Sequence, residues 1–115
     1  MTCVWDAIIK KLNLKTTPES LLQKIKNKNI RTIDILWNGQ ELSDQTMEEN
    51  IERIKSIKKI KDGYDCSACD PLLLLIAQLY NRTIIHKYRG VTIKYTNKNN
   101  SKKILEFTSN TEHFW

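Results

Sequence analysis

Apolar residues recur at helical spacing in several stretches of the first two thirds of the chain. The first stretch runs from Val4 to about Leu12. A second begins at Pro18, where Thr17 is a suitable N-cap and proline suits the first helical position. A third follows a second N-cap, Ser43, and its apolar positions are Met47, Ile51, Ile54 and Ile57. This spacing predicts three amphipathic helices, the third ending in a lysine-rich turn at Lys58, Lys59 and Lys61.

A fourth stretch is apolar almost all round. Asp70 and Pro71 open it as cap and first helical residue, Leu72 to Tyr80 form its body, and Asn81 closes it. A helix without a polar face is buried on all sides. We therefore expect this helix at the centre of the fold.

The last third of the chain is rich in β-branched residues. Strand patterns cover Arg82 to Tyr88, Val91 to Tyr95 and Lys102 to Phe107, and Arg89-Gly90 fits a tight hairpin turn between the first two. Ile30 to Trp37 alternates weakly and favours a further extended segment. The order predicts an α+β domain, with a helical half packed on a small antiparallel sheet.

Length and composition favour one globular domain over residues 1–115. The chain is 40% hydrophobic and 28% charged, and its apolar runs are far shorter than the ~20 residues of a membrane span.

Three cysteines, an odd count, argue against a disulfide framework. We expect a cytoplasmic, monomeric protein without a membrane partner. The abundance of Lys, Asn and Ile is typical of AT-rich genomes, such as that of a large DNA virus or a parasite. A viral source would place the protein in the cytoplasm of an infected host cell.

The formal charge of +6 raises the question of nucleic-acid binding. The lysines are scattered, acidic residues interleave between Asp44 and Glu52, and aromatic residues do not alternate with basic ones. A stacking platform for bases is therefore not evident. We expect a solvated basic surface and no nucleic-acid partner, with nucleic-acid binding as the lesser alternative.

The candidate chemistry lies at the two ends of the chain. Cys3 stands at the start of the first helix, where the helix dipole favours the thiolate, and His113 lies near the C-terminus. An early cysteine and a late histidine that meet only in the folded chain are typical of papain-like thiol hydrolases. Our main hypothesis is that Cys3 and His113 meet. The alternative is that Cys3 is a small buried residue or an incidental surface thiol.

Three short segments together resemble the ovarian-tumour (OTU) family of papain-like cysteine proteases. The run from Cys3 to Ile8, CVWDAI, is similar to the family's nucleophile helix. Asp70 to His86 resembles its central helix and the strand that follows, and Glu112-His113-Phe114 resembles its histidine–aromatic box. The resemblance implies a papain-like OTU fold and hydrolysis of ubiquitin or ubiquitin-like isopeptide or peptide bonds, as in a deubiquitinase, without a cofactor or metal.

The resemblance also implies roles for single residues. Cys3 would be the nucleophile and His113 the general base, and the backbone N–H groups of Cys3 and Val4 would hold the oxyanion. Trp5 and Trp115 would wall the site, although Trp5 is also a candidate core anchor. The family's Asp-Gly turn does not precede Cys3, and Trp115 stands where the family often has Asp or Asn. Asn110 is then the nearest candidate for a third catalytic residue.

Several alternatives stay open. A self-processing viral polyprotein peptidase would use the same chemistry, and a degenerate member would only bind ubiquitin or another protein. Cys66-x-x-Cys69 has metal-ligand spacing, which His86 and His113 could complete as a zinc site. We expect instead that Cys69 packs under the fourth helix and that Cys66 lies in an exposed loop. We interpret His86 as a structural residue, with a catalytic base as the alternative.

Overall fold

Helices occupy the first part of the chain and strands the last. The computed structural model describes residues 3–27, 31–99, 102–110 and 114–115, without the side chains at positions 3 and 62. The elements in this part of the chain are α1 (Cys3–Lys11), α2 (Pro18–Lys26), β1 (Ile35–Trp37), α3 (Asp44–Lys55), a short 3₁₀ helix (Ile60–Asp62), α4 (Pro71–Tyr80), β2 (Thr83–Tyr88), β3 (Val91–Asn97) and β4 (Ile104–Ser109). The fold is therefore α+β, and the predicted extended segment before the sheet is confirmed as β1.

The predicted N-caps form as the sequence indicates. The side chains of Thr17, Ser43 and Asp70 each accept a hydrogen bond from a backbone N–H in the first turn of α2, α3 and α4 respectively. The prediction for the end of α3 is wrong, because the helix ends at Lys55 and a non-helical segment separates it from the 3₁₀ helix. The lysines at positions 58, 59 and 61 therefore lie outside the last turn of α3.

The sheet is mixed, which corrects the predicted antiparallel arrangement. Its strand order is β1-β3-β2-β4. Strand β3 is antiparallel to β1 and β2, whereas β4 is parallel to β2. The cause is β1, which occupies the outer edge of β3. Strand β4 reverses direction after β3 and joins the remaining edge of β2, where the reversed direction is parallel.

A two-residue turn fixes the β2–β3 hairpin. Arg89 and Gly90 both have positive φ, +49° and +84°. Two successive left-handed residues match the right-handed twist of the flanking strands, and glycine adopts this conformation without steric cost. The predicted hairpin is therefore confirmed.

The core lies between one face of the sheet and α4. Residues 71–77 of α4 are buried, and the helix contacts β1, β2 and β3. The buried sheet face carries Ile84, Tyr95 and Phe107, each with no exposed surface. The opposite face is mostly polar, although it exposes Ile104, and it carries an exposed ion pair between Lys87 and Glu106 at 2.8 Å. Among the helices described here, none has the length and apolarity needed to cross a bilayer.

Candidate functional site

Helix α1 begins at Cys3 and is firmly anchored by its next residues. Val4 is 3% exposed, and Trp5 and Ile8 have no exposed surface. Burying side chains of this size stabilises the position of the first turn by several kcal/mol, at roughly 1.5–3 kcal/mol each. The backbone of Cys3 thus lies at the N-terminal, positive end of the α1 helix dipole.

Trp5 is a core side chain. Its ring packs edge-on to Tyr64 with 6.4 Å between centroids. A wall of an open groove needs an exposed ring face, so the structure gives Trp5 the role of core anchor and not that of a site wall. Its indole N–H is buried without a hydrogen-bond partner among the described residues.

The last turn of α1 contacts the middle of β4. The Lys11 ammonium group lies 4.7 Å from the centroid of the Phe107 ring and donates a hydrogen bond to the carbonyl of Glu106. Partial desolvation in this contact lowers the pKa of Lys11. The C-terminal end of α1 is therefore attached to the central residues of β4.

Contacts at the other end of α1 lead towards the end of β4. Tyr64, which packs on Trp5, lies two residues before Cys66. The carbonyl of Cys66 accepts a hydrogen bond from the Tyr88 hydroxyl at 3.3 Å, and Tyr88 is paired with Ser109, the last residue of β4. The first turn of α1 is thus connected, through Tyr64 and the loop that carries Cys66, to Tyr88 at the end of β2.

After β4 the chain returns to pair with it. Ser109 and Phe114 form an antiparallel bridge, and Thr108 and Trp115 exchange two backbone hydrogen bonds of 2.7 and 2.9 Å. Phe114 is buried, 7% exposed, whereas Trp115 is 52% exposed. His113 lies outside the described residues.

Asn110, the candidate for a third catalytic residue, directly follows β4 and is exposed. Its position therefore places an amide side chain beside the start of the segment that contains His113.

His86 lies beside this return, in the buried face of β2. Its Nε2 is 2.6 Å from Ser109 Oγ, and its ring centroid is 5.4 Å from that of Tyr88 and 5.6 Å from that of Phe114. The imidazole has no exposed surface, and burial lowers the pKa of His86 to about 4. His86 is therefore neutral near pH 7 and packed as a structural side chain, as the sequence predicted.

The sequence did not reveal the pairing of Ser109 with Phe114, or the contact of both with His86. Strand pairing over such a short return depends on tertiary neighbours. One signal was present: Phe114 is an aromatic residue after a polar run, which is unusual for a solvated terminus.

Cys66 lies in a loop, as predicted, but it is half-buried like Cys69, so the predicted exposure of Cys66 is wrong. Both pack against the hydrophobic core. Burial raises the pKa of both thiols, and the nearby carboxylate of Asp70 raises them further. Each thiol is therefore a poor nucleophile near neutral pH.

The described residues contain no group of three or more His, Cys, Asp or Glu side chains arranged to hold a metal ion. Of the four zinc ligands considered above, the Nε2 of His86 is engaged by Ser109, and His113 is not described. Within this part of the chain, Cys66 and Cys69 therefore have no third ligand of these types.

Comparison of the chain with protein-family models, with curated proteins and with solved structures finds no match. The likeness to the OTU family therefore stays a resemblance of short motifs.

Proposed function

We propose that the protein is an OTU-like cysteine protease that hydrolyses peptide or isopeptide bonds at the C-terminus of ubiquitin or a ubiquitin-like protein. One observation carries the proposal: the two elements that flank the proposed pair both attach to β4. Lys11, in the last turn of the helix that begins at Cys3, contacts Glu106 and Phe107, and Phe114, which follows His113, bridges to Ser109. Together with the CVWDAI and His–aromatic motifs, these two attachments to one strand support a Cys–His site.

In the proposed reaction, His113 removes the proton of the Cys3 thiol, and the thiolate attacks the carbonyl carbon of the scissile bond. The backbone N–H groups of Cys3 and Val4 stabilise the resulting oxyanion at the N-terminus of α1. The imidazolium then returns its proton to the departing amine, which leaves a thioester on Cys3. Water, deprotonated by His113, hydrolyses the thioester and regenerates the thiol.

A binding module without turnover is the second candidate function. It is favoured by a departure from the family motifs, namely the presence of Trp115 where an acid or amide is usual. In that case the same surface would hold ubiquitin or another protein without forming a thioester. A self-processing peptidase would differ from the main proposal in its substrate only.

The test is incubation with ubiquitin that carries a C-terminal thiol-reactive electrophile, read by intact mass and peptide mapping. We expect one ubiquitin adduct, on Cys3, in the wild type and none in Cys3→Ala. Cys66→Ser and Cys69→Ser are matched controls and should label as the wild type does, because both thiols are half-buried with raised pKa values. Labelling that persists in Cys3→Ala would contradict the assignment, whereas non-covalent binding without an adduct would favour the binding module.

A further inference from the structure

A groove on the surface of the protein lies between α2 and the segment that follows α3. Its volume is about 570 Å³, and most of its surface is apolar. Leu22 and Ile60 line the groove and are each only 5% exposed, so they form its floor. Lys58, Lys59 and Lys61 line it as well, and all three are exposed. The groove thus combines an apolar floor with a rim of lysines.

The charges of the three lysines are not used within the described part of the protein. The sequence predicts these lysines in the last turn of α3, where the helix dipole would favour them, but α3 ends at Lys55. None of the three forms an ion pair with another side chain that the structure describes. Like charges in close succession repel one another and slightly disfavour the compact state. These charges are therefore available to a partner of opposite sign.

The opposite rim of the groove belongs to the first turns of α2. Glu19 is the acidic side chain among the described lining residues. Its position in the first turn of α2 is favoured by the helix dipole, so a structural cause accounts for it. Because three lysines face one glutamate, the lining of the groove carries a net positive charge.

A second, smaller cleft adjoins the groove. Its volume is about 250 Å³, and it shares Lys58 and Lys59 with the groove, while Ile57 and Gly63 line the rest. Residues 57–59 are in neither a helix nor a strand. An extended chain that crosses Lys58 and Lys59 would therefore contact both clefts, with the two ammonium groups at its centre.

We propose that this groove binds an acidic peptide segment of a partner protein. One aliphatic side chain of the peptide packs on Leu22 and Ile60, and on the methylene groups of the lysines. Carboxylates on either side of it pair with the ammonium groups, which selects acidic partners and speeds association. A nucleic acid fits less well, because none of the described lining residues is aromatic and bases have no ring on which to stack.

The test is an NMR titration of the ¹⁵N-labelled full chain with the acetylated peptide Asp-Glu-Leu-Glu-Asp. We expect saturable shifts of the backbone amides of Leu22 and residues 58–61. Replacing the three rim lysines together by glutamine should weaken binding by about tenfold, because it removes the complementary charge. The matched control removes three positive charges from exposed positions that do not line the groove, and it should bind within about twofold of the wild type. Its substitutions are Lys94→Gln, Lys102→Gln and Lys103→Gln.

Two further probes separate the apolar floor from the charged rim. A peptide with serine in place of leucine should bind about fivefold more weakly, because it buries no aliphatic side chain. A single-stranded oligothymidylate with the same number of negative charges should bind about tenfold more weakly than the leucine peptide, since it lacks a stacking surface.

Four outcomes would overturn the inference. They are the absence of saturable shifts at millimolar peptide, equal losses in the two triple variants, equal affinity for the leucine and serine peptides, and an oligonucleotide that binds as tightly as the leucine peptide. The last outcome would identify the groove as a nucleic-acid site. None of these results depends on the proposed Cys–His site, so a failure here is distinguishable from a failure to react with the ubiquitin electrophile.

Discussion

Two buried polar clusters of this protein differ in how completely their atoms are satisfied. At the start of α4, the Asp70 carboxylate accepts hydrogen bonds from the Tyr64 hydroxyl at 2.6 Å and from the backbone N–H groups of Ser67, Leu72 and Leu73. The N–H of Asp70 donates in turn to the Tyr95 hydroxyl at 2.9 Å. At the end of β4, by contrast, His86 has a single hydrogen bond, and its Nδ1 has no partner among the described residues.

The two clusters therefore contribute differently to the stability of the fold. A buried polar group without a partner costs about 1–3 kcal/mol, so its retention requires an explanation. The Asp70 cluster needs no such explanation, because its hydrogen bonds cap α4 and join the loop before α4 to the sheet. In the His86 cluster one ring nitrogen has no partner among the described residues, although the imidazole contacts both Ser109 and Phe114.

The largest effect is expected from the proposed base itself. His113→Ala should lower kcat on ubiquitin substrates by about 10³-fold, or roughly 4 kcal/mol of barrier, because thiolate formation and leaving-group protonation both fail. Thermal unfolding should stay close to that of the wild type. Deletion of residues 112–115 should reproduce the loss of activity. Near-normal turnover in both variants would show that the cluster at the end of β4 serves only the fold, and the binding module would become the better proposal.

Asp70→Ala should give the largest loss of stability. It deprives the Tyr64 hydroxyl and the first N–H groups of α4 of their acceptor in a site with no solvent exposure. We expect unfolding to become easier by about 3 kcal/mol. Chemical denaturation measures this, and Ser43→Ala, an exposed cap of α3, serves as control with a loss of about 1 kcal/mol. Equal losses in the two variants would contradict the structural role assigned to the Asp70 cluster.

The features that could be predicted from the sequence are those with local causes. The caps of α2, α3 and α4 depend on side-chain oxygens next to the first turn, and the Arg89-Gly90 turn depends on a glycine that adopts positive φ without steric cost. The parallel pairing of β4 with β2 could not be predicted, since it follows from β1 occupying the outer edge of β3. Which strand occupies that edge is determined by packing between segments far apart in the chain.

The candidate site shows the same limit. The motif around Cys3 was recognisable because its residues are consecutive, and the structural role of His86 followed from the strand pattern. The contact of His86 with Ser109 and Phe114 joins residues 23 or more positions apart, and strand patterns carry no information on such pairs. The burial of Trp5 was one of two alternatives, and only tertiary packing decided between them.

A smaller effect, on folding stability, is expected when the pH is lowered. Burial lowers the pKa of His86 to about 4 from 6.5, so the unfolded chain binds this proton more readily than the folded protein. Stability therefore falls as the pH drops from about 6.5 to 4, by at most ~1.4 kcal/mol per pH unit from this group, and is independent of His86 at higher pH.

Denaturation of the wild type and of His86→Gln across this range isolates the contribution of the histidine. Asp70, whose pKa is raised chiefly by desolvation, acts in the opposite direction in both proteins, so its contribution cancels in the difference. The two stability curves should converge towards low pH. Parallel curves would contradict the assignment of a buried, neutral imidazole to His86.

The smallest effect is expected from metal removal. Cys66 and Cys69 have metal-ligand spacing, but each thiol is half-buried against the core, and the raised pKa values disfavour the thiolates that zinc requires. A chelator such as EDTA should therefore shift the melting temperature by less than about 1 °C, since structural zinc contributes folding free energy directly. Zinc content by mass spectrometry should be well below one ion per chain.

Stoichiometric zinc with unfolding on chelation would mean that Cys66 and Cys69 bind a metal together with residues outside the described part, such as His113. The His86 cluster and the proposed catalytic pair would then need to be reconsidered together, because the same histidine cannot serve as a metal ligand and as the base for Cys3.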